Sequence, residues 1–142
     1  MVDILLKYKW KYVSFINSDD TYGKSAQTEF RSRAADNDIC LAVARTIPAS
    51  TETYDELISD LLDTQSTSAH STVVILFVQL ETARNIFTAA AKAGAYRRFI
   101  WIGSDGWGNY GLEPVLNNEE VALGEPCLPS SFWDPYCIRA EV

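Results

Sequence analysis

The chain has 142 residues, 47% of them hydrophobic and 22% charged, proportions that fit one packed domain and exclude a disordered segment. Its 19 acidic and 12 basic residues give a net charge of −7 with no basic stripe to offset it, which excludes nucleic acid as a partner. No apolar run reaches the roughly 18 residues that a membrane-spanning helix needs, and the N-terminus lacks the basic region, apolar run and cleavage site of a secretion signal. Val2, Leu5 and Leu6 mark a short opening helix. Residues 11–17 (KYVSFIN) are apolar and rich in β-branched and aromatic types, so they read as a strand. Residues 23–36 follow as a helix with Ala26, Phe30 and Ala34 on one face, and residues 39–46 (ICLAVART) as a second strand. Tyr54, Leu57, Ile58, Leu61 and Leu62 form one apolar helical stripe, with Thr53 and Glu56 at capping-box spacing at its start. Residues 73–78 (VVILFV) predict a third, fully covered strand. Ala83, Ile86, Phe87 and Ala90 predict a helix closed by Gly94, and residues 99–103 (FIWIG) a fourth strand. Beyond Val121 the sequence has three prolines and no period, and reads as an irregular tail.

Strict alternation of helix and strand predicts an α/β fold: a three-layer parallel sheet with right-handed crossovers and helices on both faces. A chain that opens inside a helix, with no strand before it, is expected to be an incomplete lobe. Ligands of such sheets bind beyond the carboxyl ends of the strands. Two polar, glycine-bearing loops are placed there: residues 18–23 (SDDTYG) after the first strand and residues 103–108 (GSDGWG) after the fourth.

Most catalytic readings of these loops lack parts. Gly103, Gly106 and Gly108 have G-x-x-G-x-G spacing rather than the dinucleotide fingerprint, and no P-loop lysine motif is present. Asp19 and Asp20 follow a strand as in a phosphorelay receiver, yet Val78 is followed by Gln79 where a phosphoacceptor carboxylate would stand. No G-x-S-x-G elbow occurs, and the single histidine, His70, lies in a polar stretch where it is expected to be solvated. Neither a triad nor a metal site has enough members, so no enzymatic activity, metal or cofactor is expected.

The loops have the parts to hold an amino acid. The Asp105 carboxylate can accept charge-assisted hydrogen bonds from an ammonium group, Tyr22 can lay its ring against the same cation, and Gly106 lets backbone come close to a small ligand. On spacing alone an ordinary reading stays open, in which Asp105 caps a turn, Trp107 fills core and Tyr22 packs on a helix. The three cysteines, Cys40, Cys127 and Cys137, have no zinc spacing, and composition alone favours a buried thiol at Cys40.

Four stretches then carry a resemblance: LLKYKWKYVSFINSDDTYGKSA, NDICLAV, STVVILFVQLETARNIFTAAAKAGA and IWIGSDGWGN. With W-x-Y-V-S, D-x-Y-G and S-D-G-W at matching distances, the chain resembles the second lobe of the ligand-binding domain of class C G-protein-coupled receptors, nearest the metabotropic glutamate receptors. The resemblance runs over residues 1–123, leaving 124–142 as a tail in which SSFWDPYC is similar to a later element of the family. It implies one lobe of a Venus flytrap, similar to periplasmic binding proteins, whose closure on a glutamate-like amino acid drives signalling. It implies that Tyr22 packs on the ligand ammonium, that Asp105 binds it with Gly106 beside it, and that Cys40 bonds to a cysteine-rich domain. The implied partners are a first lobe, that cysteine-rich domain, a G protein reached through a parent receptor, and a second receptor in a dimer. The implied location is the extracellular side of the cell membrane. Tyr110 stands where several relatives place a basic residue, so the identity of the ligand side chain stays open, and Cys127 has no counterpart. A solute-binding or sensor domain of the same fold, unconnected with G proteins, is the alternative.

Overall fold

The computed structural model describes residues 1–68 and 70–104. Asp105, Gly106, Trp107, Tyr110, Cys127, Cys137 and the tail at 124–142 lie outside the described residues. The elements run α1 (Val2–Lys7), β1 (Tyr12–Ser18), α2 (Thr21–Ala35), β2 (Cys40–Ile47), α3 (Asp55–Thr64), β3 (Val73–Phe77), α4 (Leu80–Lys92), a short 3-10 turn (Tyr96–Arg98) and β4 (Ile100–Gly103). The four strands form one parallel sheet in the order β2-β1-β3-β4.

Side-chain alternation divides the sheet between two cores. Val13 and Phe15 of β1, Val73 and Ile75 of β3 and Ile102 of β4 pack with Val2 and Leu5 of α1 and Phe30 and Ala34 of α2. Ile16, Val74 and Leu76 face the other way, against Leu57, Ile58 and Leu61 of α3 and Ala83, Ile86, Phe87 and Ala90 of α4. These are the three layers that the alternating sequence predicts. Phe87, Tyr96, Phe99 and Trp101 form an aromatic group beneath α4, and the Trp101 indole N–H donates to the Tyr96 carbonyl at 2.8 Å. That bond removes the cost of burying the indole N–H and ties the 3-10 turn to β4.

Helix ends are closed by backbone geometry. At α4, Gly94 has φ +64, its N–H donates to the Ala91 carbonyl and the Ala95 N–H to that of Ala90, a Schellman closure at the expected glycine. Lys9 and Asp38 adopt the same left-handed conformation after α1 and α2, where Trp10 N–H donates to Leu5 and Ile39 N–H to Ala34.

Four sequence expectations are corrected. The helix expected over 23–36 begins two residues earlier, at Thr21, because Asp20 caps it with its side chain. The Thr53–Glu56 capping box does not form. Tyr54 is the N-cap of α3 and no side-chain cap bond is made there, because the Tyr54 ring is buried in the α3–α4 core and sets where the helix begins. Finally, β2 is not covered on both faces. It lies at the described edge of the sheet, half-buried from Leu41 to Ala44 and exposed at Arg45 and Thr46. Cys40, at its foot, is an exposed free thiol rather than the buried one that composition favours.

Candidate functional site

The chain leaves β1 by α2 on one face and β3 by α4 on the other, so the connections diverge between these two neighbouring strands. A crevice opens at the carboxyl ends wherever adjacent strands send their crossovers to opposite faces. Here the walls of that switch point are residues 18–23 and 77–79.

Ser18 and Asp20 build the rim. The Ser18 hydroxyl donates to Asp20 Oδ1 at 2.8 Å and lies 3.4 Å from the Phe77 carbonyl oxygen, which joins β1 to β3 at their ends. The Gly23 N–H donates to the same Oδ1 at 2.7 Å, the capping bond of α2, and the Gln79 amide approaches Oδ2 at 3.5 Å. Asp20 is thus held by groups from β1, α2 and the β3–α4 turn. The Gly23 N–H, then the Ser18 hydroxyl and more weakly the Gln79 amide, lower its pKa below the ordinary carboxylate value, against a smaller opposing push from burial. Asp19, beside it, points to Lys24 with a 2.5 Å ion pair between two exposed side chains, a contact of little energetic weight.

Gly23 is required by close approach. A Cβ there would lie 2.3 Å from the Ser18 carbonyl oxygen and 2.7 Å from its amide nitrogen, so only a glycine lets α2 start directly on the end of β1. The preceding residue, Tyr22, is 38% exposed at the first turn of the helix. Its ring centroid is 5.7 Å from that of Phe77, at an interplanar angle of 45°. Tyr22 thus packs against the end of β3 from the first turn of α2 and keeps part of its ring exposed beside the switch point.

Of the residues singled out in the sequence, Tyr22 is at the switch point, Cys40 is exposed at the opposite, amino-terminal end of the strands, and Asp105 and Gly106 lie outside the described residues. The last described residue, Ser104, continues the ladder past β4, its N–H donating to the Leu76 carbonyl at 3.2 Å. His70 is exposed, with Nδ1 3.1 Å from the Gln65 carbonyl oxygen. Sequence reasoning placed Ser18 and Asp20 in the first strand-end loop but assigned no role there to Ser18, Asp20 or Gln79. A signal for Asp20 was present, an N-cap residue three positions before Gly23; none existed for Gln79, which meets Asp20 across 59 residues. Among the described residues no group of three His, Cys, Asp or Glu side chains could hold a metal ion, and no helix is long and apolar enough to cross a membrane.

The capping role of Asp20 gives a pH-dependent prediction. Because its folded-state pKa is depressed, its contribution to stability is full above the ordinary carboxylate value and is lost as pH falls through the lowered one. Asp20→Ala should cost about 1 kcal/mol at pH 7, and its melting temperature should converge with that of the parent in acid. Thermal melts at neutral and acid pH check this; an equal gap at both would show that the carboxylate does not act through its charge.

Comparison with known sequences places this geometry in a family. The profile described as "Receptor family ligand binding region" matches residues 1–124. The chain is 37% identical over 127 residues to Metabotropic glutamate receptor 4 of Mus musculus, covering 87% of the chain and 13% of that receptor. It is 34% identical over 120 residues to the Metabotropic glutamate receptor of Drosophila melanogaster, covering 81% of the chain and 12% of the relative. Metabotropic glutamate receptor 8 of Homo sapiens is 35% identical over 127 residues, with 87% and 13% covered. The chain therefore spans about an eighth of the length of these curated relatives, all of them receptors rather than enzymes. With its parallel α/β sheet and a profile match over most of its length, the chain belongs to the receptor family ligand-binding region, among the metabotropic glutamate receptors of class C.

Proposed function

We propose that residues 1–123 form the second lobe of an amino-acid-sensing flytrap, which grips the ammonium of a glutamate-like ligand at the β1/β3 switch point and closes on it to signal. The observation that supports this most is Tyr22: a large aromatic ring, more than a third exposed, held over the crevice by Phe77 and by a helix that starts on Ser18. The π face of a ring in this position attracts a cation. In this reading Asp105 supplies the opposing carboxylate and Gly106 the close backbone approach, both following β4. A first lobe supplies the contacts to the ligand carboxylates, and a G protein is reached through the parent receptor, which acts at the cell membrane as a dimer with this lobe on the extracellular side. Cys40, exposed at the foot of β2, is the thiol that bonds to a cysteine-rich domain beneath the lobe, well away from the ligand.

The test is calorimetry of glutamate and other amino acids binding to the complete ectodomain that carries this lobe. Asp105→Ala should weaken glutamate binding by roughly tenfold to a hundredfold, the worth of a charge-assisted hydrogen bond. Tyr22→Ala should weaken it by about twofold to thirtyfold, and Tyr22→Phe, which keeps the ring, should stay near the parent. Unchanged affinity in both alanine variants would remove the site from this rim.

A further inference from the structure

Helices that join parallel strands run back antiparallel to them, so the amino end of the sheet collects the strand starts and the helix ends. Cations gather there. Lys7 closes α1, Lys9 and Lys11 lie in the link to β1, Lys92 is in the last turn of α4, and Arg97 and Arg98 stand just before β4. All of them are exposed. The sequence holds them as two short groups with no continuous basic run, and the fold brings both to one end. Adjacent strands lie about 4.8 Å apart, so the starts of β1 and β4, with β3 between them, are separated by about 10 Å. That is close to the screening length of about 8 Å at physiological ionic strength, so the two groups act on one anion together.

The fold makes little use of these charges. The ion pairs of the described residues join Lys24 to Asp19, Arg33 to Glu29, Arg45 to Asp60 and Arg84 to Glu81, and none involves a cation of the two groups. Lys11 only donates to the Asn37 carbonyl, at 3.2 Å. Lys7 and Lys92 complement the dipoles of the helices they close, but Lys9 and Lys11 have no helix to serve. The acidic residues of this end, Asp36, Asp38 and Asp63, lie before β2 and in the last turn of α3, which packs on β2. Exposed rings alternate with the lysines. Tyr8 is 53% exposed and stacks on Trp10 with centroids 4.9 Å apart, and Tyr12 is 42% exposed.

We propose that the amino end of the sheet is a binding surface for a sulfated polysaccharide, whose sulfates pair with Lys9, Lys11, Arg97 and Arg98 and whose sugar rings lie on Tyr8 and Tyr12. Short lysine-rich segments are typical of surfaces that take heparin-like polyanions, whereas protein interfaces are depleted in lysine. The anionic leaflet of a cell membrane is the cytoplasmic one, on the far side from the extracellular location proposed above. The choice of a glycan rests on that location. The surface itself is independent of the amino-acid site, which stands at the other end of the strands. Because the chain as a whole carries −7, the anion is held at this end and repelled elsewhere.

The test is heparin-affinity chromatography of the full chain, with calorimetry on a heparin oligosaccharide. The chain should be retained at about physiological ionic strength and released steeply as salt rises. Lys9→Gln with Lys11→Gln, and separately Arg97→Gln with Arg98→Gln, should each weaken heparin binding about tenfold or more. Lys9→Arg with Lys11→Arg keeps the charges and should bind as the parent does, while Lys24→Gln, at the opposite end, should change nothing. Desulfated heparin of the same length should not bind. The proposal is overturned by equal binding of desulfated heparin, by an equal loss in Lys24→Gln, or by tighter binding of polyglutamate or anionic vesicles than of heparin. Retention needs neither Tyr22 nor glutamate. Its failure therefore leaves the amino-acid reading standing, and a failed glutamate site leaves retention in place.

Discussion

Gly23→Ala is expected to lower the melting temperature of the chain by about 6–8 °C, measured by circular dichroism, and to weaken any ligand binding at the rim. Two effects oppose each other. Alanine is the better helix former by about 1 kcal/mol, and Gly23 lies inside α2, so propensity alone predicts stabilisation. Packing predicts the reverse. The added Cβ would sit 2.3 Å from the Ser18 carbonyl oxygen, 2.6 Å from its hydroxyl and 2.7 Å from its amide nitrogen. Two of these are backbone atoms inside a sheet, which cannot rotate aside as the end of a long side chain can. Overpacking of this kind costs about 1–3 kcal/mol, and with immovable neighbours the upper end applies, or more. For a chain of this size each kcal/mol shifts the melting temperature by about 3–4 °C. The helix can relieve the overlap only by lifting off β1, which carries Tyr22 away from Phe77 and breaks the Gly23–Asp20 bond. Gly94 is the control, since a Cβ there meets nothing and its cost, about 1 kcal/mol, comes from the left-handed backbone alone. A Gly23→Ala variant that melts with the parent would show that α2 does not rest on Ser18.

The contrast between these two glycines shows how far a sequence can be read. Gly94 was legible because a helix C-terminus is local: the apolar stripe of α4 ends, and a glycine follows within one turn. Gly23 looked like the start of a helix because the cause of its identity, the end of β1 folding back under α2, is visible only in three dimensions. The sheet was legible for a related reason. Strands covered on both faces are written as unbroken apolar runs, and β1 and β3 are buried through most of their length. β2 has a similar apolar start at Leu41–Ala44 but is half exposed there, since nothing in those residues says whether a neighbour will lie on its outer side. Thr53 and Glu56 had the spacing of a capping box, and a local rule lost to the burial of Tyr54. At the site, exposure of Tyr22 could be guessed from its loop.

The other large effect is expected at Phe15, which is fully buried on β1 yet linked to the rim. Its ring stacks on Phe30 of α2 with centroids 4.7 Å apart and on Phe77 of β3 at 5.6 Å, and Phe77 in turn stands 5.7 Å from Tyr22. Four rings thus run from the core between α2 and the sheet to the crevice. Phe15→Ala removes the ring on which two others rest, and a deletion of that size from a sealed site costs about 3–5 kcal/mol. Set against a typical total of about 5–15 kcal/mol, that is a large share, so the variant should melt at least 10 °C below the parent. Phe15→Leu, which keeps most of the volume, should cost about 1.5 kcal/mol or less. The two variants should also differ at the crevice. With leucine in place Phe77 keeps a surface to lie on and Tyr22 keeps its backing; with alanine Phe77 can sink towards the cavity and Tyr22 loses its support. Affinity for the ligand, measured well below both melting temperatures, should therefore fall in Phe15→Ala and hold in Phe15→Leu. If the alanine variant loses stability but binds as the parent does, the core stacking and the position of Tyr22 are independent, and the rim must be held by the Ser18–Asp20–Gly23 bonds alone.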